Sequence, residues 1–160
     1  MRKKYSRPRE VAVGLIAGNM MICAIDPSTT ASGVCVLENG NIIFLQSLSA
    51  GKLIAFCLDM CEKDVTFIVE NSNLISSNWH GSSARGNVGK NKGVSMFIAG
   101  FLKHNSLKVV ELKPDGYSQV YASAAIFKAD TRWAQMTNKD TRAAYAMAKR
   151  YYNQGKFKLN

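Results

Sequence analysis

A chain of 160 residues, 47% apolar and 20% charged, can bury the core of one domain and is short for two. Its net charge of +10 is far from ordinary and points to a polyanionic partner, nucleic acid first and an acidic membrane surface second. No apolar run approaches the roughly 20 residues that span a bilayer, which argues against membrane insertion.

The opening stretch "MRKKYSRPREVAVGLIAGN", residues 1–19, sets five basic residues against Glu10 and reads as a basic leader, arm or extra strand. Its apolar part is short for a signal peptide. The compact domain is expected over 20–160. "MICAID" (21–26) reads as a strand that ends abruptly on Asp26. "SGVCVLENGNIIFLQS" (32–47) places Asn39-Gly40 between two apolar runs, the strongest short hairpin signal, so the domain opens with a three-strand antiparallel meander. "GKLIAFCLDMCEK" (51–63) has helical spacing, and "VTFIVE" (65–70) is a second strand that finishes on an acid.

Residues 71–92, rich in Asn, Ser and Gly, read as a long loop of the functional or mobile kind. "KGVSMFIAGFLKHN" (92–105) reads as an apolar helix whose Gly93, Ser95, Ala99 and Gly100 permit close packing. "LKVVELK" (107–113) is a further strand stopped by Pro114, and 114–137 is ambiguous. "NKDTRAAYAMAKRYYN" (138–153) is an Ala-rich helix capped by Asn138, with Lys149 and Arg150 near its end. This order predicts an α/β fold: a mixed five-stranded sheet, antiparallel at first and parallel later, flanked by helices.

Cys23, Cys35, Cys57 and Cys61 lack the paired spacings of a zinc site. They read as reduced, partly buried thiols that fill core space, which favours an intracellular setting.

Asp26 could close an Asx-turn, Glu70 could end its strand in solvent, and Asp140 could complement a helix dipole. Together they say more. If the first and fourth strands are neighbours and the last helix packs on the sheet, three carboxylates converge. Such a cluster would raise its own pKa values unless a divalent cation resolved the repulsion. Oxygen ligands in an incomplete cage suit Mg²⁺ or Mn²⁺, with substrate phosphate completing the shell.

"IDPSTTASGV", "FIVEN", "VGKNKGVSMFIAG" and "DTRAAYAMA" occur in the order and rough spacing of motifs in the RuvC-type Holliday junction resolvases. The chain resembles that family, of the RNase H-like superfamily, over roughly residues 21–153, and looks more like a phage or viral member than a cellular one. The resemblance implies an RNase H-like fold and a Mg²⁺-dependent endonuclease, with Mn²⁺ as substitute, that resolves four-way DNA junctions as a homodimer inside the cell, beside the nucleoid. It implies Asp26, Glu70 and Asp140 as metal ligands. A fourth helix acid of the family falls on Ala143. An alanine there fits an inactive variant made to trap substrate, the favoured reading, a natural member running on three carboxylates, or lost catalysis. Two further readings stand beside the resolvase: an RNase H-like nuclease acting on RNA or RNA–DNA hybrids, and a non-catalytic branched-DNA-binding protein.

From Asn71 to Val110 there is no Asp or Glu, while Arg85, Lys90, Lys92, Lys103 and Lys108 occur, so this stretch is expected to meet phosphates. Trp79 and His80 are candidates for stacking at a branch point. Lys113, Lys128, Lys139 and Arg142 are further candidate DNA contacts. The helix over 92–105 is the expected dimer interface.

Overall fold

The computed structural model describes residues 20–75 and 85–157. Five strands form one sheet: β1 (Met21–Asp26), β2 (Ala31–Glu38), β3 (Asn41–Ser49), β4 (Val65–Glu70) and β5 (Lys108–Leu112). Their spatial order is β3-β2-β1-β4-β5, antiparallel from β1 to β3 and parallel between β1, β4 and β5. The predicted meander and mixed sheet are thus present. Asn39 and Gly40 both take positive φ, 51° and 85°, as a tight hairpin turn requires.

The sheet is covered on both faces, which explains why β1 and β4 read as unbroken apolar runs. On one face Ile22, Ala24, Cys35 and Ile68 pack against the last helix, α5 (Lys139–Phe157). On the other, Cys23, Ile25, Val34 and Phe67 pack against α1 (Ala50–Asp59) and α2 (Arg85–His104). Cys23, Cys35 and Cys57 are buried in these two layers and Cys61 is half-buried. Two short helices, α3 (Tyr117–Val120) and α4 (Ala124–Thr131), occupy the stretch that is ambiguous in the sequence.

Some boundaries differ from expectation. The helix expected from residue 92 begins at Arg85, so the last third of the expected loop is helical. Gly93 and Gly100 do not serve packing within the chain: a Cβ at either would meet nothing within 4 Å, and both face outward. Ser95, Ile98, Ala99 and Leu102 supply the core side of α2 instead. Asn138 caps α5 as expected, its Oδ1 accepting from the Thr141 amide at 2.9 Å while its own amide donates to the Thr141 hydroxyl. Among the described residues no helix is long and apolar enough to cross a membrane. The leader at 1–19, with Trp79 and His80, lies outside the described residues.

Candidate active site

β1 and β4 are parallel neighbours in the register Ile25↔Val69, so Asp26 and Glu70 are the next residues along and end side by side. The carboxyl ends of parallel strands are where open α/β sheets present their ligand crevices. The third acid comes from the other layer. Asp140 sits in the first turn of α5, and α5 can reach the strand ends only because its neighbour on β2 is Gly33, the partner of Asp26 across the β1–β2 pair. A Cβ on Gly33 would lie 2.2 Å from the Asp140 carbonyl carbon and oxygen. The glycine seven residues after Asp26 is therefore the seat of the helix that carries Asp140.

Asp26, Glu70, Asp140, Lys139, Tyr117 and Ala143 share the lining of one cleft of ≈ 220 Å³. Burial, then the negative charges of Glu70 and Asp140, push the Asp26 carboxyl up to about 8, with Lys139 opposing them. Burial raises Glu70 to about 7. The cleft holds more negative charge than its own cation compensates. Its donors are all oxygen, which fits a hard divalent ion. Among the described residues, however, no three Asp, Glu, His or Cys side chains stand as a ready-made metal shell. The chemistry fits such an ion, while the spacing is that of an open cleft. Ala143, 1% exposed, adds a methyl to the wall where a fourth oxygen donor is expected.

Neighbouring groups brace the backbone beside Asp26 and Glu70. Ser32, buried on β2, accepts from the Ser28 amide at 3.2 Å and shapes the turn after Asp26. Asn71, buried behind Glu70, donates its amide to the Leu112 carbonyl at 2.7 Å, and its Oδ1 accepts from the Asn73 amide. Its side-chain nitrogen donates to Glu111, which also pairs with Lys103. Sequence reasoning missed Asn71, Glu111 and Tyr117. The motif "FIVEN" contains Asn71 but carries no hint of Glu111, 40 residues away.

The expected DNA contacts divide. Lys139 lines the cleft. Lys113 is exposed at the end of β5, Lys90 on α2 and Lys128 on α4, while Lys92 is half-buried on α2. The Arg85 side chain lies outside the described residues. Arg142 does not point outward: it is 8% exposed, and its guanidinium donates to the Tyr121 carbonyl at 2.7 Å, Ala122 at 3.1 Å and Thr137 at 3.3 Å. Those donors are consumed inside the protein, which removes Arg142 from the DNA-contact set. Lys103 is engaged with Glu111.

The fold is similar to that of solved RuvC structures. A Thermus thermophilus RuvC in complex with a Holliday junction substrate matches at 15% identity with TM-score 0.55, covering 85% of this chain and 96% of that one. A second Thermus thermophilus RuvC structure matches at 14% identity with TM-score 0.52, covering 86% and 97%. No protein-family model and no curated protein sequence matches the chain.

Proposed function

We propose that the protein is a divalent-metal-dependent endonuclease acting on branched DNA, with the four-way junction as its substrate. The observation that carries this reading is the meeting of Asp26, Glu70 and Asp140 in one cleft of an RNase H-like domain with net charge +10. The similar RuvC solved with a Holliday junction supports the choice of substrate. Asp26, Glu70 and Asp140 would hold Mg²⁺, or Mn²⁺ in its place. When bound, the metal supplies Lewis-acid polarisation of a phosphodiester and a water of lowered pKa. Lys139, on the same wall, offsets the phosphate charge. If the chemistry follows the family, the products carry a 5′-phosphate and a 3′-hydroxyl.

Ala143 favours a second reading, a branched-DNA-binding protein with weak or no cutting. One experiment separates the two. The chain and its Ala143→Asp variant are incubated with a four-way junction, a flap, a duplex and an RNA–DNA hybrid, with and without Mg²⁺. Junction cutting that needs Mg²⁺ and rises in the variant supports the nuclease. Binding that ignores Mg²⁺, with no cutting by either form, supports the binder. Preference for the hybrid moves the substrate to RNA.

Paired nicks across a junction of near two-fold symmetry need two active sites, and a two-fold homodimer provides them. The outward face of α2 supports such a dimer. Met96 and Phe97 are 61% and 57% exposed, between Gly93 and Gly100 on the same helix face. A solvent-facing glycine costs a helix about 1 kcal/mol relative to alanine, so two of them flanking an apolar pair suit the close approach of a second helix. Met96→Asp is expected to convert a dimer into a monomer by light scattering.

A further inference from the structure

The acid cleft does not stop at Tyr117. The same buried ring borders a second bay with Leu112, Lys113 and Arg150, and then a groove of ≈ 360 Å³ between α3 and α5. Tyr117 lines all three spaces, so they run on from one another along one side of the molecule. The groove has two kinds of wall. Its floor is Tyr117, Val120, Tyr121 and Ala146, and Val120 is 59% exposed there. Its lip carries Lys149 and Arg150, with the amides Asn153 and Gln154 one turn further. The single acid on the lip, Asp115, pairs with Arg150, whose guanidinium lies 5.7 Å over the Tyr117 ring. Among the described residues, that pair leaves Lys149 on the groove and Lys113 in the neighbouring bay with no carboxylate of the lining to answer them.

Resting on the nuclease reading, we infer that this groove holds an unpaired nucleotide of the DNA strand that leaves the cleft, with its phosphate at Lys149 and its base on the Val120–Tyr121 wall. An apolar wall that carries an aromatic ring beside a cationic lip is the arrangement that takes a base by stacking and its backbone by charge. The Asn153 and Gln154 amides offer the donor–acceptor pairs that match base edges. A branch point is where bases leave their stack, so continuity with the cleft places the groove where such a nucleotide is available.

The test is fluorescence anisotropy with a labelled four-way junction and a labelled single strand, across a salt series. It compares wild type, Val120→Asp, Lys149→Ala and the control Lys63→Ala on the far face of the sheet. Val120→Asp, which sets a carboxylate where the base would rest beside Tyr121, is expected to weaken binding about ten-fold. Lys149→Ala should flatten the slope of log K against log salt by about 0.7 to 0.9, one phosphate contact, and Lys63→Ala should change neither. Both substituted side chains reach the surface, and an unchanged unfolding midpoint confirms that each variant is folded; if Val120→Asp unfolds, Lys149→Ala decides. Wild-type binding with both variants unaffected overturns the groove and leaves the nuclease reading standing. A wild type that binds neither DNA overturns both.

Discussion

Asp26 is held in a setting that a paired carboxylate avoids. Its pKa near 8 and that of Glu70 near 7 lie above the roughly 3.9 and 4.3 of the free side chains. The folded chain therefore keeps protons that the unfolded chain has lost between about pH 4 and pH 8, and stability falls as pH rises through that window. Without divalent ions the melting temperature is expected to drop by about 5 °C from pH 5 to pH 8, an effect that partial exposure of both acids keeps modest. Asp26→Asn should raise Tm at pH 8, flatten the profile and abolish cleavage together. A variant that melts below wild type at pH 8 contradicts the charge conflict. At Ala143 the expectation runs the other way. Ala143→Asp adds a fourth acid to a buried wall, so it should lower metal-free Tm and raise Mg²⁺-dependent cleavage by about 100-fold or more. No gain in cleavage would mean that position 143 does not carry the missing ligand.

At the level of elements, α5 depends on two neighbours. Gly33→Ala would drive a Cβ into the Asp140 backbone. Overpacking of this kind costs about 1–3 kcal/mol, and here it also displaces an acid. Thermal melting and cleavage should both fall, whereas Gly51→Ala, whose added Cβ meets nothing within 4 Å, should leave cleavage intact. Arg142 ties α5 to residues 121–137 through the Tyr121, Ala122 and Thr137 carbonyls and the Thr137 hydroxyl. Arg142→Ala orphans those acceptors, so a loss of about 2–3 kcal/mol is expected in denaturant unfolding, with the salt slope of DNA binding unchanged. These two residues also mark how far the sequence could be read. Asp26 and Glu70 were legible because an apolar strand that stops on an acid is costly unless something answers it. Asn138 was legible because capping is local. Arg142 was not, because only the return of residues 121–137 over α5 turns an arginine that looks solvent-bound into an internal tie. The outward placement of Gly93 and Gly100 was hidden for a similar reason: spacing gives a helix face, and packing decides which face meets the core.

Across the whole molecule, a central sheet covered on both sides leaves the carboxyl ends of β1 and β4 as the place where buried strands open to solvent. The net charge of +10 suits a polyanionic partner, while the cleft at that edge concentrates negative charge. The two signs are reconciled if a cation sits between the acids and the phosphate backbone. Isothermal titration with Mn²⁺ tests this most directly, on wild type and on Asp26→Asn, Glu70→Gln and Asp140→Asn. The account predicts Mn²⁺ binding in the wild type that is weakened at least ten-fold by each substitution. Equal binding in all four proteins, or none in the wild type with junction DNA present, would contradict it.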